Sequence, residues 1–206
     1  CTLTNGAIGD NLSVDCIIDI DRRNNIKLNH TATHLLHQSL KDVLGSHVNQ
    51  AGSLVHPEYL RFDITHPKKI SLKELENIEL IVNQKIGEDI TVETSIKSLE
   101  EAKKEGATAL FGEKYEDEVR VVTMGEFSKE LCGGTHVSST GKINKFKIKH
   151  DKAISSGIRR INAITHNEVD LYLKQKSEEL GLLKEAEKKK EEETVSYTHL
   201  TLPTKA

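Results

Sequence analysis

The chain has 206 residues, of which 36% are hydrophobic and 30% charged, with a formal net charge of −3. That length supports one sizeable core or two small ones without staples. The composition excludes global disorder, and the near-neutral balance excludes steering of a polyanion by the whole-molecule field. No apolar run approaches the roughly 18 residues a membrane helix needs. Three widely spaced cysteines, Cys1, Cys16 and Cys132, form no C-x-x-C and point to a reducing compartment. A soluble, cytoplasmic protein with no membrane or DNA partner is expected.

Cys1 leads directly into T-L-T-N-G-A-I-G-D-N-L, and the only methionine is Met124, so a piece of a longer chain is expected. Ser13 to Ile20 alternates after the turn signal G-D-N and reads as a strand, the last of a small β unit. Asn29 is placed as the N-cap of a helix over His30 to Leu44, ended by Gly45. Leu60 to Ile64 alternates as a strand. Ser71-Leu72-Lys73-Glu74 is a capping box opening a helix to about Ile86.

Thr91 to Ile96 is the next strand. A second box, Ser98 to Glu101, opens a short helix stopped by Gly106. Val119 to Met124, Lys145 to His150 and Ile158 to Thr165 complete the strands, and a charged helix begins at Glu168. Between Lys174 and Glu193, 13 of 20 residues are charged. Helices and strands do not alternate strictly, which predicts an α+β fold rather than a doubly wound sheet. After E-E-E-T the composition changes, and residues 195–206 read as a non-native tail. The expected divisions are 1–28, the end of a β-barrel subdomain; 29–166, the main domain; 167–194, a charged helical linker; and the tail.

His30 and His34 lie four apart on the predicted helix, so their rings share a face one turn apart. His37 belongs to the same stripe, while Ala32, Leu36, Leu40 and Val43 take another side. Taken alone, the pair also fits a chance spacing. Downstream, E-L-C-G-G-T-H sets Cys132 and His136 four apart across Gly133 and Gly134, a tight turn able to aim thiolate and imidazole at one point. A free cysteine beside a surface histidine is the alternative. Together His30, His34, Cys132 and His136 make a donor set suited to tetrahedral Zn2+. Spacing does not choose between a closed structural site and a catalytic one. A hydrolase would need polar groups beside the metal, and the candidates are Thr31, Thr33, Gln50, Thr135 and the amides of Gly133 and Gly134. The stretch from Lys142 to Arg160 carries seven basic residues against Asp151. It is either a phosphate-binding face or an edge strand guarded by lysines.

The ordered series N-H-T-A-T-H-L-L-H, H-V-N-Q-A-G-S-L-V, L-R-F-D, A-L-F-G-E-K-Y, E-L-C-G-G-T-H and S-S-G-I-R-R-I resembles the editing domain of alanyl-tRNA synthetases from roughly Gly6 to Glu185. The resemblance implies hydrolysis of the ester joining serine or glycine to the 3′ end of alanine tRNA. It also implies metal ligation by His30, His34, Cys132 and His136, a pocket role for Gln50, and a preceding β-barrel of which Gly6 to Asp21 is the end. The segments that activate alanine with ATP, and the C-terminal domain, have no counterpart here, so editing without tRNA charging is expected. Three readings remain: an editing part of a synthetase, a free-standing trans-editing hydrolase, and a non-catalytic zinc-stabilised tRNA-binding module.

Overall fold

The computed structural model describes Asn5 and residues 15–109 and 115–200. The element α1 is Ile20–Leu44, capped by Asp19, whose carboxylate accepts from the Arg22 amide at 2.9 Å. Its last turn closes through the Gly45 N–H to the Lys41 carbonyl. The expected strand over Ser13 to Ile20 is therefore corrected: residues 15–19 carry no regular structure and Ile20 opens the helix, while the remainder of that segment, with most of the barrel end, lies outside the described residues.

Asn29 is corrected as well. It is an interior helix residue, 1% exposed. Its amide donates to the carbonyls of His56 and Pro57 at 2.8 and 3.1 Å, and its Oδ1 accepts from Thr165 Oγ1 at 2.9 Å. Residues 20–28 are mostly polar and none of them is buried, so a sustained apolar face begins only where α1 enters the core. A buried Asn with its groups satisfied pins the helix to two other elements.

The chain continues through β1 (Gln50–Val55), β2 (Leu60–Thr65), α2 (Leu72–Gly87), β3 (Val92–Ser98) and α3 (Leu99–Lys104). It then forms β4 (Glu118–Met124), β5 (Ser128–Leu131), a 3₁₀ turn at Thr140–Ile143, β6 (Phe146–Ser155), β7 (Ile158–Thr165) and α4 (Asn167–Leu200). The Ser71 box forms in full, with the Ser71 amide donating to the Glu74 carboxylate at 2.7 Å, and Ser98 caps α3 by accepting from the Glu101 amide. Among the described residues the strands make two antiparallel sheets, ordered β1-β2-β7-β6 and β3-β4-β5. The α+β expectation holds. Both β1, a largely exposed edge strand with a bulge at Gln50/Gly52, and the short β5 escaped the sequence reading.

The helix α1 touches β1, β2 and β7 of one sheet and β5 of the other. Leu35, Leu36 and Leu40 of α1 are fully buried with Phe62 and Ile64 of β2, Ile78 and Val82 of α2, and Met124 of β4. Each such side chain contributes about 1.5–3 kcal/mol by leaving water. A smaller cluster of Ala102, Val119, Val121 and Leu131 closes under α3. Because α1 is wedged between the sheets, its histidine face is held against the end of β5.

Two further expectations change. The basic stretch is largely neutralised: Lys145 meets Asp170, Lys147 meets Glu79 at 2.8 Å, Arg159 meets Asp151, and Arg160 meets Asp63 at 2.7 Å. Pairing, mostly with elements distant in sequence, reduces the phosphate-binding face that the charge count suggests, while Lys142 at the start of the stretch lines an open cleft. The helix α4 also runs to Leu200, past the point where composition predicts its end.

Candidate metal centre

The first turn of the buried part of α1 presents His30 and His34 on one face. From the other side, β5 ends at Leu131 and delivers Cys132 to His136 as an irregular loop. The donor atoms of His30, His34, Cys132 and His136 all lie within 4.8 Å of one another. Cys132 Sγ is 3.4 Å from both His30 Nε2 and His136 Nε2. Tetrahedral zinc with bonds of 2.0–2.3 Å separates its donors by roughly 3.3–3.6 Å. The sulfur and two of the imidazoles already stand at that spacing, so the donor set fits a zinc ion.

Gly134 explains how the loop comes so close. A Cβ there would fall 2.0 Å from His30 Cε1, whereas Gly133 has nothing within 4 Å. Among the described residues the left-handed glycines are Gly45, Gly106, Gly125 and Gly157, so the requirement at Gly134 is contact rather than a turn dihedral. Arg120 of β4 braces the same loop, its Nη1 donating to the carbonyls of Cys132 and Gly134 at 2.8 and 2.5 Å.

The charges are arranged around the donors. Burial pushes the Cys132 thiol up, but hydrogen bonds from His136, His30 and His34 overcome it and hold the group at about 3, a thiolate at neutral pH. Burial brings His136 down to about 4, so its ring is neutral there. Burial also acts downward on His34, yet the Glu130 carboxylate carries it up to about 10. Glu130 itself is buried, which acts upward, but His34 and His37 hold it below the usual carboxylate range. Its two oxygens lie 2.9 Å from His34 Nδ1 and 2.9 Å from His37 Nδ1.

The remaining candidates separate. Thr31 is fully buried; its hydroxyl accepts from the Val137 amide at 3.2 Å and lies 3.2 Å from His136 Nδ1. Thr33 spends its hydroxyl on the Asn29 carbonyl at 2.9 Å. The Gly134 amide points to Cys132 Sγ at 3.4 Å. Gln50 opens β1 half-buried, opposite Ile64, and Thr135 is half-buried in the loop. Sequence reasoning missed Glu130, although residues two apart on an extended chain share a face, which placed it beside Cys132. It also missed Lys27 and Arg120. With Lys142, these line a cleft of about 520 Å³ that opens on His136, and no carboxylate stands among its described lining residues.

In this chain a helix-borne histidine pair faces a C-G-G-T-H loop, with two antiparallel sheets around them. Residues 119–162 match the family described as the threonyl and alanyl tRNA synthetase second additional domain. Within that class the likeness is to alanine--tRNA ligases. The chain is 53% identical over 179 residues to alanine--tRNA ligase 1 of Lachnoclostridium phytofermentans and 55% identical over 181 residues to the alanine--tRNA ligase of Bacillus anthracis. These matches cover 87% and 88% of this chain but only 20% of each relative, so the chain spans about a fifth of the length of the curated relatives it matches. The similarity to alanyl-tRNA synthetases drawn from the sequence motifs stands.

Proposed function

We propose that this chain is a tRNA-editing hydrolase, acting within an alanyl-tRNA synthetase to cleave the ester of serine or glycine wrongly joined to alanine tRNA. The observation that carries the reading is the junction of the donor cluster with the cationic cleft: His136 belongs to both. The phosphates of a tRNA 3′ end would lie against Lys27, Arg120 and Lys142, which brings the terminal ester to the cluster.

His30, His34, Cys132 and His136 would hold zinc, which when bound supplies a Lewis acid toward the ester. The chain's own groups do the rest. An aminoacyl ester is already activated, so no serine nucleophile is needed; placing a water and meeting the developing oxyanion suffice. Thr31 and Thr33 are buried with committed hydroxyls and act by holding α1 and His136 in place. Gln50, Thr135 and the Gly133 amide remain as groups to contact the substrate, with Gln50 reading the hydroxyl that distinguishes serine from alanine.

Deacylation of seryl- and alanyl-tRNA(Ala), timed at low salt, tests the reading. The wild type should cleave the seryl ester and largely spare the alanyl one. Cys132→Ala should lose both zinc and activity, while Gln50→Ala should chiefly change the serine-to-alanine ratio. A zinc-loaded wild type without activity would favour a tRNA-binding module, and an undiminished Cys132→Ala rate would leave any metal structural.

A further inference from the structure

Glu130 is a carboxylate buried to 7% exposure that the proposed hydrolysis does not use. It sits on β5, the edge strand of its sheet, whose contact with α1 brings it between two histidines one turn apart. One oxygen stands 2.9 Å from His34 Nδ1, the other 2.9 Å from His37 Nδ1. His34 belongs to the donor cluster; His37 does not. His37 Nδ1 makes a hydrogen bond to Glu130 and its outer nitrogen, Nε2, has no partner among the described residues, whereas His34 Nδ1 meets the carboxylate at ion-pair distance without hydrogen-bond alignment. The Phe62 ring, 5.2 Å away, packs against His37 from the core side.

We infer that Glu130 is a two-armed positioning residue: one oxygen fixes the Nδ1–H tautomer of His34 and so turns Nε2 toward the metal, while the other is clamped by His37. This inference rests on the metal reading given above. A neutral imidazole has one N–H and one lone pair, and the partner of the N–H decides which nitrogen is left to ligate. A carboxylate in that place also raises the basicity of the ligating nitrogen and offsets charge brought by a cation. A carboxylate tied to His34 alone would be free to swing; the second histidine removes that freedom. Thr31 does the corresponding service for His136, whose Nδ1 lies 3.2 Å from the hydroxyl while Nε2 faces the thiolate.

Glu130→Gln keeps the shape but presents one amide nitrogen where an acceptor is needed. Zinc competition against a chromogenic chelator, on the full chain, should show affinity lower by about 10–100-fold with the far-UV circular dichroism retained. The absorption bands of the cobalt-substituted variant should shift as well. His37→Gln should cause a smaller loss, because it loosens the clamp and leaves the contact with His34. Histidine-ring ¹⁵N spectra of the zinc-loaded wild type should place the His34 proton on Nδ1, a readout that does not depend on any variant folding. A His34 ring protonated on Nε2, or a Glu130→Gln protein with unchanged zinc affinity and cobalt spectrum, overturns the inference. A wild type that takes up no zinc overturns the metal reading instead.

Discussion

Among the described residues, histidine rings meet one another in two places. His47 and His66 stack with ring centres 5.2 Å apart and a nitrogen–nitrogen contact of 2.9 Å. His30, His34 and His136 crowd to a similar degree, their centres 4.3–5.3 Å apart. What differs is the anions. The second group encloses a thiolate among its nitrogens and has Glu130 behind it at 2.9 Å, and the net outcome is a His34 raised to about 10. In the first pair His66 is lowered, first by burial and then by the charge of His47, with Glu74 and Asp151 acting only through space. Closeness of imidazoles is therefore not by itself a cation site. The softer anionic donor and the buried carboxylate are what mark one out.

Each cluster leans on a glycine, which gives matched ways to break the comparison. The larger effect is expected at the donor cluster. Gly134→Ala would drive a methyl to 2.0 Å from His30 Cε1, and that ring cannot stay where it is. Metal affinity should fall at least about tenfold, approaching Cys132→Ala in elemental analysis of the purified protein. Wild-type zinc content in Gly134→Ala would mean that the loop yields and the donor geometry is not tightly set.

At the other cluster, Gly45 has φ +114° and a Cβ there would lie 3.0 Å from His47 Nδ1. His47 is exposed and its ring can turn away, so the backbone conformation dominates. Gly45→Ala should cost about 1–3 kcal/mol in denaturant unfolding and leave metal affinity unchanged. A loss of metal there would show that the C-terminal end of α1 and its histidine face move together.

The smallest effect concerns pH. His66 has a folded pKa below the 6.5 of the unfolded chain, so the unfolded state takes up the proton first. Its contribution to stability is full above about 6.5 and is lost as pH falls through that value toward the lowered one. Thermal melts of wild type and His66→Gln should thus converge as pH drops from 7.5 to 5.5, the difference cancelling any acid release of metal common to both. Parallel curves would show that the stacked pair does not hold His66 neutral.

Much of the molecule was legible in the chain. Capping at Ser71 and Ser98, the strands around Phe62, Val121 and Ile161, and the four donor residues all follow from local rules: a side-chain oxygen three residues before an amide, a period of two, a period near 3.6. The misreadings have a common cause. Asn29 looks like a cap because Asn is good at helix starts, yet its amide is spent on His56 and Pro57, partners with no local signature. Lys145, Lys147 and Arg160 look free to meet phosphate because their acidic partners, Asp170, Glu79 and Asp63, come from other elements.

By itself the sequence determined which residue types could bind a metal and which faces of their elements they occupy, because both are set by covalent spacing along helix and strand. Only the tertiary structure decided that the two halves of the donor set meet, that Gly134 must be glycine, and that Glu130 stands between His34 and His37. Those depend on α1 being packed between two sheets, an arrangement fixed by burial of side chains far apart in the chain, for which no short-range pattern is diagnostic.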